Sequence, residues 1–404
     1  LKGENLVVLF TLIIKMRIKV LWEKGDIMKK IKILHTSDLH FDTPFSGMKN
    51  NQSIKCREEL KEVFEKIIKI SLENNIDILL IAGDMFDNLS VNKSTLYFLR
   101  SCFEKINEVK IFISPGNHDP YNEKSFYSMI EWPKNVYIFK EKIEKVILKD
   151  LETIVWGAAF NENYIYESLI KDVNGVEGYN NIMVVHGELC STKEENEYNP
   201  ITEDDIAKSD MDYIALGHRH KYVGVKKILN TYYAYSGCPQ GRGFDELDDK
   251  GVILLEICGG HCNYKFIKTS VRNYYEKEIN IEECFGYHQI KEKILSFIDK
   301  ENTNSNSYKV ILIGEINEEF NFREEILEDM IKKDDYDIRV IDKTEVKIDI
   351  DDLLKGYSIK SLFARKIYEE LEKSETEEEK EIIKLALKKG LQSLAGEEVR
   401  DHIY

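Results

Sequence analysis

The sequence predicts an α/β protein in which two sheets pack face to face with helices outside, followed by a small α+β domain and a helical C-terminal region. Three observations predict it. The chain opens with a βαβαβ pattern, it becomes strand-rich between about 136 and 270, and its character changes near Ser270–Arg272. The first of these also locates the chemistry. Five short apolar, β-branched runs (IKIL, ILLIA, IFIS, IMVV and YIAL) read as buried strands, and each ends on polar residues. Those residues are Asp38 and His40, then Asp84, then Asn117 and His118, then His186, and finally His218 and His220. Open α/β sheets present their chemistry beyond the carboxyl ends of strands, so five such ends converge on one place.

The intervening elements follow from periodicity. Leu60, Val63, Phe64, Ile67 and Ile68 share one face of a helix over residues 54–74, and Ser94–Ile106 repeats the pattern. Short strands are expected at VYIF, KVIL and TIVWGAAF, then at YIAL, YYAYS, VILLEI and YKFIK. The α+β domain reads as a strand (Tyr274–Ile281), a helix (287–300) and a polar break (302–307). A strand (Tyr308–Ile313), a helix (323–333) and a strand (335–341) complete it. In the tail, Ile359, Leu362, Phe363, Ile367 and Leu371 form one stripe. Ser374 and Glu377 then make a capping box for a second helix that Gly390 ends. The boundaries are an N-terminal extension (1–28), a catalytic domain (29–270), an α+β domain (271–350) and a helical region (351–404).

Composition narrows the function classes. The 404 residues are 43% hydrophobic and 32% charged, as in a globular protein rather than a disordered one. Net charge is −16, but residues 271–404 hold 22 Lys and Arg against 33 Asp and Glu, so most of the acidity lies outside the catalytic domain. Seven cysteines fit reduced thiols and a cytoplasmic location. Cys258-Gly-Gly-His-Cys262 has no second pair to complete a zinc site and reads as a strand turn. The run at residues 6–14 is far short of the ~20 apolar residues that span a bilayer, and no small-residue cleavage site follows it. The first strand begins just after Met28, so residues 1–27 read as a translation-start extension, with a membrane-contacting arm as the alternative. No membrane partner is expected.

Histidine is scarce, at nine residues, yet five fall in the strand-end motifs. Asp84 is the natural carboxylate to bridge two dications, which sit roughly 3.5–4 Å apart in sites for in-line displacement at phosphorus. Asp38, His40 and one late histidine complete the first ion; Asn117, His186 and the other late histidine complete the second. Imidazole with carboxylate suits Mn²⁺, Fe or Zn²⁺ and suits Ca²⁺ poorly. Two Mn²⁺ ions are the expected cofactors, lowering the pKa of a shared water to give a hydroxide nucleophile. His118 is read as the acid for the leaving oxygen, held protonated by Asp87, with Asp119 as the alternative partner or as a turn cap. His35 and Asp42 are read as strand and supporting residues.

In this order the motifs D-x-H, G-D-x-x-D, G-N-H-D, H-G and G-H-x-H resemble the calcineurin-like metallophosphoesterase superfamily. The resemblance implies Asp38, His40, Asp84 and His220 on one ion, and Asp84, Asn117, His186 and His218 on the other. It also implies a catalytic His118 paired with Asp87. HTSDLHFDTPF (35–45) and SGCPQGRGFDELDDKG (236–251) resemble more narrowly the SbcD-type DNA repair exonucleases and their shorter YhaO-like branch. That implies a metallophosphoesterase β-sandwich with a capping domain, DNA as substrate and an SMC-like SbcC-type ATPase partner docking on the C-terminal helices. Dimerisation is also implied.

From the residues themselves, Gly241-Arg242-Gly243 would let the Arg242 guanidinium approach a DNA phosphate. Lys221, Lys226 and Lys227 lie on the preceding loop. The alternative enzyme is a phosphodiesterase or phosphatase of the same superfamily acting on nucleotides or another phosphoester. Asn88 stands where protein phosphatases carry arginine, which disfavours a phosphoprotein substrate. A non-catalytic scaffold is disfavoured because no ligand position is missing.

Overall fold

The computed structural model describes residues 28–395 except 47, 49, 88–90, 141, 193–195, 299–305, 318–322, 333–336, 348–349 and 375. The expected extension (1–27), Asn88 and residues 302–305 of the polar break therefore lie outside the described residues. Two compact units divide the chain. One runs to Tyr275 and takes in residues 305–307; the other holds residues 276–304 and 308–404.

The first unit contains two six-stranded sheets. In chain order its elements begin β1 (Ile31–Thr36), α1 (Asn50–Asn74), β2 (Ile78–Ile81), α2 (Lys93–Lys105), β3 (Lys110–Ile113), β4 (Val136–Ile138), β5 (Glu144–Leu148) and β6 (Thr153–Gly157). There follow β7 (Asn180–His186), α3 (Glu203–Ser209), β8 (Tyr213–Gly217), β9 (Lys226–Ile228), β10 (Thr231–Tyr235), β11 (Gly251–Cys258) and β12 (His261–Lys268). The first sheet has the order β12-β11-β1-β2-β3-β4, the second β5-β6-β7-β8-β10-β9. All five strands expected to carry chemistry lie within them, β1 to β3 parallel in one sheet and β7 and β8 parallel in the other.

Alternation along each strand explains the layering. Ile31 and Ile33 of β1 and Ile78 and Leu80 of β2 share one buried cluster with Ile182 and Val184 of β7 and Tyr213 and Ala215 of β8. That cluster is the sandwich interior. The intervening residues Leu34, Leu79 and Ile81 pack instead with Phe64, Ile67, Leu96 and Phe103 of the two helices. Met183, Val185, Ile214 and Leu216 pack with Ile206 of α3. Strands buried on both faces must be apolar throughout, which is why these runs show no polar alternation. Full burial of each such side chain stabilises by about 1.5–3 kcal/mol.

Cys258-Gly259-Gly260-His261 is the hairpin between β11 and β12, with both glycines at positive φ (+54° and +78°) and Cys258 paired to His261. The cluster is thus a strand turn, as its spacing suggested. Lys226 and Lys227 are not on a loop; they form most of the short edge strand β9.

Most of β13 (Tyr274–Asn280), most of β14 (Ser307–Ile313) and all of β16 (Asp337–Asp342), which form a sheet, belong to the second unit, where β15 (Glu315–Asn317) pairs in parallel with β17 (Glu345–Lys347). Ile290 and Ile294 of α4 (Tyr287–Phe297) and Leu327 and Ile331 of α5 (Glu324–Lys332) pack with Val310, Leu312 and Val340. Helices α6 (Ile350–Lys355), α7 (Ile359–Lys373) and α8 (Glu377–Ala395) follow. The expected single stripe is split: Phe363 and Ile367 pack with Leu387 and Leu391, whereas Ile359 and Leu362 are 72% and 57% exposed. The capping box is Thr376 with Glu379, not Ser374 with Glu377. Thr376 Oγ1 accepts the Glu379 amide at 3.2 Å and Glu379 accepts the Thr376 amide at 3.3 Å. Ser374 closes the preceding helix through Leu371. Gly390 does not end α8. It lies inside it, and the Phe363 ring occupies the space a Cβ there would need.

Candidate metal centre

Parallel pairing brings the ligands together. Thr36 of β1 is level with Ile81 of β2, so Asp38 and Asp84 follow side by side. The two loops stay laced by Asp38 N to Gly83 O (3.0 Å), His40 N to Asp84 O (2.9 Å) and Phe41 N to Met85 O (2.9 Å). In the other sheet His186 is level with Gly217, which sets His186 beside His218. The loops turn sharply. Asp38, His40 and Asp84 have φ of 52°, 46° and 50°, and His218 has 110°. Non-glycine residues held there cost about 1–3 kcal/mol each, a cost met where side chains must be aimed. Glycine is required beside them: a Cβ on Gly83 would strike the His186 ring, and one on Gly116 the Asp84 carboxylate.

Three groups of candidate ligands result, one of them His40 with Asp87 and His118. Asp38, His40 and His220 bring ligand atoms within 4.8 Å of one another, and so do Asp38, Asp84 and His186. Of the two late histidines it is His220 that lies beside Asp38 and His40, its Nε2 3.2 Å from His40 Nε2 and 3.7 Å from Asp38 Oδ1. Asp84 Oδ2 reaches both sides, 3.7 Å from His40 Nε2 and 3.4 Å from His186 Nε2. Asn117 Oδ1 is 2.9 Å from His186 Nε2. His218 belongs to none of these groups; its ring stands edge-on to His186 at 5.3 Å, and its Nε2 is 3.7 Å from Glu188 Oε2.

The donor set fits divalent cations. His186 Nδ1 is 2.9 Å from Ala82 O and must donate to it, so the neutral ring turns a bare Nε2 toward Asn117 Oδ1 and Asp84 Oδ2. His220 Nδ1 lies 2.6 Å from Glu246 Oε1, which likewise leaves Nε2 as a lone pair facing His40 Nε2. Acceptors gathered in a buried site need a cation among them. Burial disfavours the His186 imidazolium, yet Asp84 outweighs it and raises the group to about 9. A proton there takes the place of a metal ion's charge.

In the group with His40, His118 Nδ1 lies 3.3 Å from Asp87 Oδ1, and Thr43 Oγ1 donates to Asp87 Oδ2 at 2.9 Å. Asp87, with Asp84 behind it, shifts His118 upward from its ordinary pKa despite partial burial. Asp119 faces elsewhere. It accepts from Gly116 N, Met85 N, Phe86 N and Tyr127 Oη, caging the Asp84 loop rather than touching His118. Asp42 accepts from Asn92 N and Thr95 Oγ1 at the start of α2, and His35 Nδ1 meets Tyr213 Oη at 2.9 Å between the sheets.

Arg242 differs most from its sequence reading. Its guanidinium is ion-paired to Glu246 at 2.6 Å and lies 3.1 Å from His220 Nδ1, with 17% of the side chain exposed. Lys221 is paired with Asp248 at 2.7 Å. Two carboxylates escaped sequence reasoning: Glu246 behind His220, and Glu188 behind His218. Glu188 is in turn held by Arg219 Nε at 2.8 Å. Each late histidine is therefore backed by a glutamate that an arginine clamps.

Residues 31–261 match the calcineurin-like phosphoesterase family, and the chain belongs to it. Among curated proteins it is similar to the uncharacterized metallophosphoesterase YhaO of Bacillus subtilis, 29% identical over 249 residues. That match covers 58% of this chain and 60% of the other's length. A DNA double-strand break repair protein Mre11 from Thermoplasma acidophilum is 23% identical over 320 residues, covering 73% and 80%. The SbcD component of the SbcCD nuclease from Staphylococcus epidermidis is 23% identical over 262 residues, covering 56% and 66%. Among the described residues no helix is long and apolar enough to cross a membrane.

Proposed function

We propose that this protein is a two-metal DNA phosphodiesterase, the nuclease component of a repair complex. The observation that carries the reading is Asp84 Oδ2 within reach of histidines from two ligand groups, with His118 and Asp87 alongside. Asp38, His40, Asp84 and His220 would hold one ion; Asp84, Asn117 and His186 would hold the other, with His218 beside His186 as the further ligand the motif resemblance implies, and Mn²⁺ the expected metal. Bound there, two divalent ions supply an activated water and positive charge for the phosphate oxygens. The chain's own residues do the rest. His118, oriented by Asp87 and Thr43, gives its proton to the leaving oxygen. Glu246, clamped by Arg242, fixes the His220 ring through Nδ1, and Glu188 stands beside His218. DNA as substrate is favoured by the roles of two of the similar proteins, break repair and nuclease. The exposed Ile359 and Leu362 of α7 suit docking of an SMC-like SbcC-type ATPase, and a homodimer in the cytoplasm completes the reading.

The test is incubation of the purified protein with Mn²⁺ and labelled duplex and single-stranded DNA, beside Asp84→Ala and a bis(p-nitrophenyl) phosphate control. Cleavage of DNA that the variant lacks supports the nuclease. Hydrolysis of the small diester alone would overturn DNA as the substrate of the isolated protein.

A further inference from the structure

Three tyrosines stand in a row beside the metal centre. The Tyr198 ring lies 4.9 Å from the His218 ring at an angle of 31°, and the Tyr164 ring lies 5.7 Å from that of Tyr198. Tyr166 is close enough to act electrostatically on Tyr198. Tyr164 and Tyr166 are 49% and 65% exposed, so both rings offer apolar surface to solvent that burial would favour covering.

Their placement is built rather than incidental. Ile165 N donates to Glu197 O and Asn199 N to Ile165 O, both at 2.7 Å, so residues 164–166 run as a short extended ladder beside 197–199. Side chains alternate across such a strand. Ile165 packs inward on the apolar cluster under the second sheet, leaving Tyr164 and Tyr166 together on the outer face. Two further contacts tie this strip to the site. Asn163 Nδ2 donates to Asn117 O at 2.9 Å, and Glu188 N to Tyr198 O at 2.9 Å.

We propose that Tyr164 and Tyr166 form a stacking platform for a nucleobase next to the scissile phosphate, an inference that rests on the nuclease reading. Every base offers a π-face, and aromatic side chains fixed near a phosphate site are the usual way to hold an unpaired one. The charges around the strip select the same part of the nucleic acid. Exposed Glu162, Glu167 and Glu197 flank it and repel phosphates, so the backbone is kept off while a neutral base is admitted. The platform therefore favours a single-stranded or frayed end.

The experiment compares kcat/KM with Mn²⁺ on a single-stranded oligodeoxynucleotide and on the same strand carrying abasic residues around the cut. Wild type, Tyr164→Ala/Tyr166→Ala and Tyr164→Phe/Tyr166→Phe are measured. The wild type should prefer the intact strand by about tenfold, the scale of one stacking contact. The alanine pair should bring that ratio near one and the phenylalanine pair should keep it. A ratio retained by the alanine pair, whether or not both rates fall, overturns the platform and leaves the nuclease standing. A wild type that hydrolyses bis(p-nitrophenyl) phosphate but neither strand overturns the nuclease reading, and the platform with it.

Discussion

Glu246 Oε1 lies 2.6 Å from His220 Nδ1, and this contact decides which nitrogen of His220 faces the candidate ions. Burial works against an ionised Glu246, but His220 and Arg242 outweigh it and hold its carboxyl below the usual range. A carboxylate behind a ligand imidazole fixes the tautomer and raises its basicity, and its loss typically weakens metal affinity 10–100-fold. Glu246→Gln should keep the fold and weaken Mn²⁺ binding by about that factor in calorimetric titration. Unchanged affinity would show that the His220 ring is oriented without Glu246.

His118 should separate binding from chemistry. Its side chain is 40% exposed, and its nearest charge partner is Asp87, with Asp84 behind it. His118→Ala should retain two ions by metal analysis and still bind DNA. Its turnover should drop by about 10²–10⁴, the usual worth of a positioned acid. Near-normal turnover would remove His118 from proton transfer.

How legible this was in the sequence depends on rarity and on packing. The strands were legible because burial on both faces leaves continuous apolar runs, and the ligands because nine histidines make five motif positions conspicuous. Glu246 and Glu188 were not, since each is one of 73 acidic residues, and only folding brings them behind His220 and His218. Ser374-x-x-Glu377 and Thr376-x-x-Glu379 satisfy the same capping pattern, and the chain uses the second. Gly390 read as a stop signal, but it is a helix-interior glycine against which the Phe363 ring packs. Arg242 read as a free phosphate ligand because its ion pair with Glu246, four residues on, depends on a loop shape that spacing does not reveal.

His35 gives the protein a pH dependence separate from its candidate metal ligands. Burial between the sheets lowers its pKa from 6.5 to about 3. The sign follows from linkage: below pH 6.5 the unfolded chain takes up a proton that the folded ring refuses. Stability is therefore full above about 6.5 and is lost as pH falls toward 3. At pH 5 the loss is about 2 kcal/mol. In urea titrations of metal-free protein, His35→Gln should lose about that much less than wild type between pH 7 and pH 5. Equal losses would place the acid sensitivity elsewhere.

Glu59 and Arg272 join α1 to the segment after β12. Arg272 Nη2 donates to Glu59 Oε1 at 2.7 Å and Nε to Oε2 at 2.9 Å, a bidentate pair with side-chain exposures of 7% and 11%. Arg272 Nη1 also donates to Ser307 Oγ at 3.0 Å. Removing one partner of such a pair strands the other charge out of water and costs about 3–5 kcal/mol, whereas replacing both by apolar groups of similar size is often neutral. Glu59→Leu should accordingly lower the denaturant midpoint markedly, and Glu59→Leu with Arg272→Met should recover much of the loss. If the single variant unfolds at the wild-type midpoint, the Arg272 charge is already satisfied by its other contacts and the pair contributes no net stability.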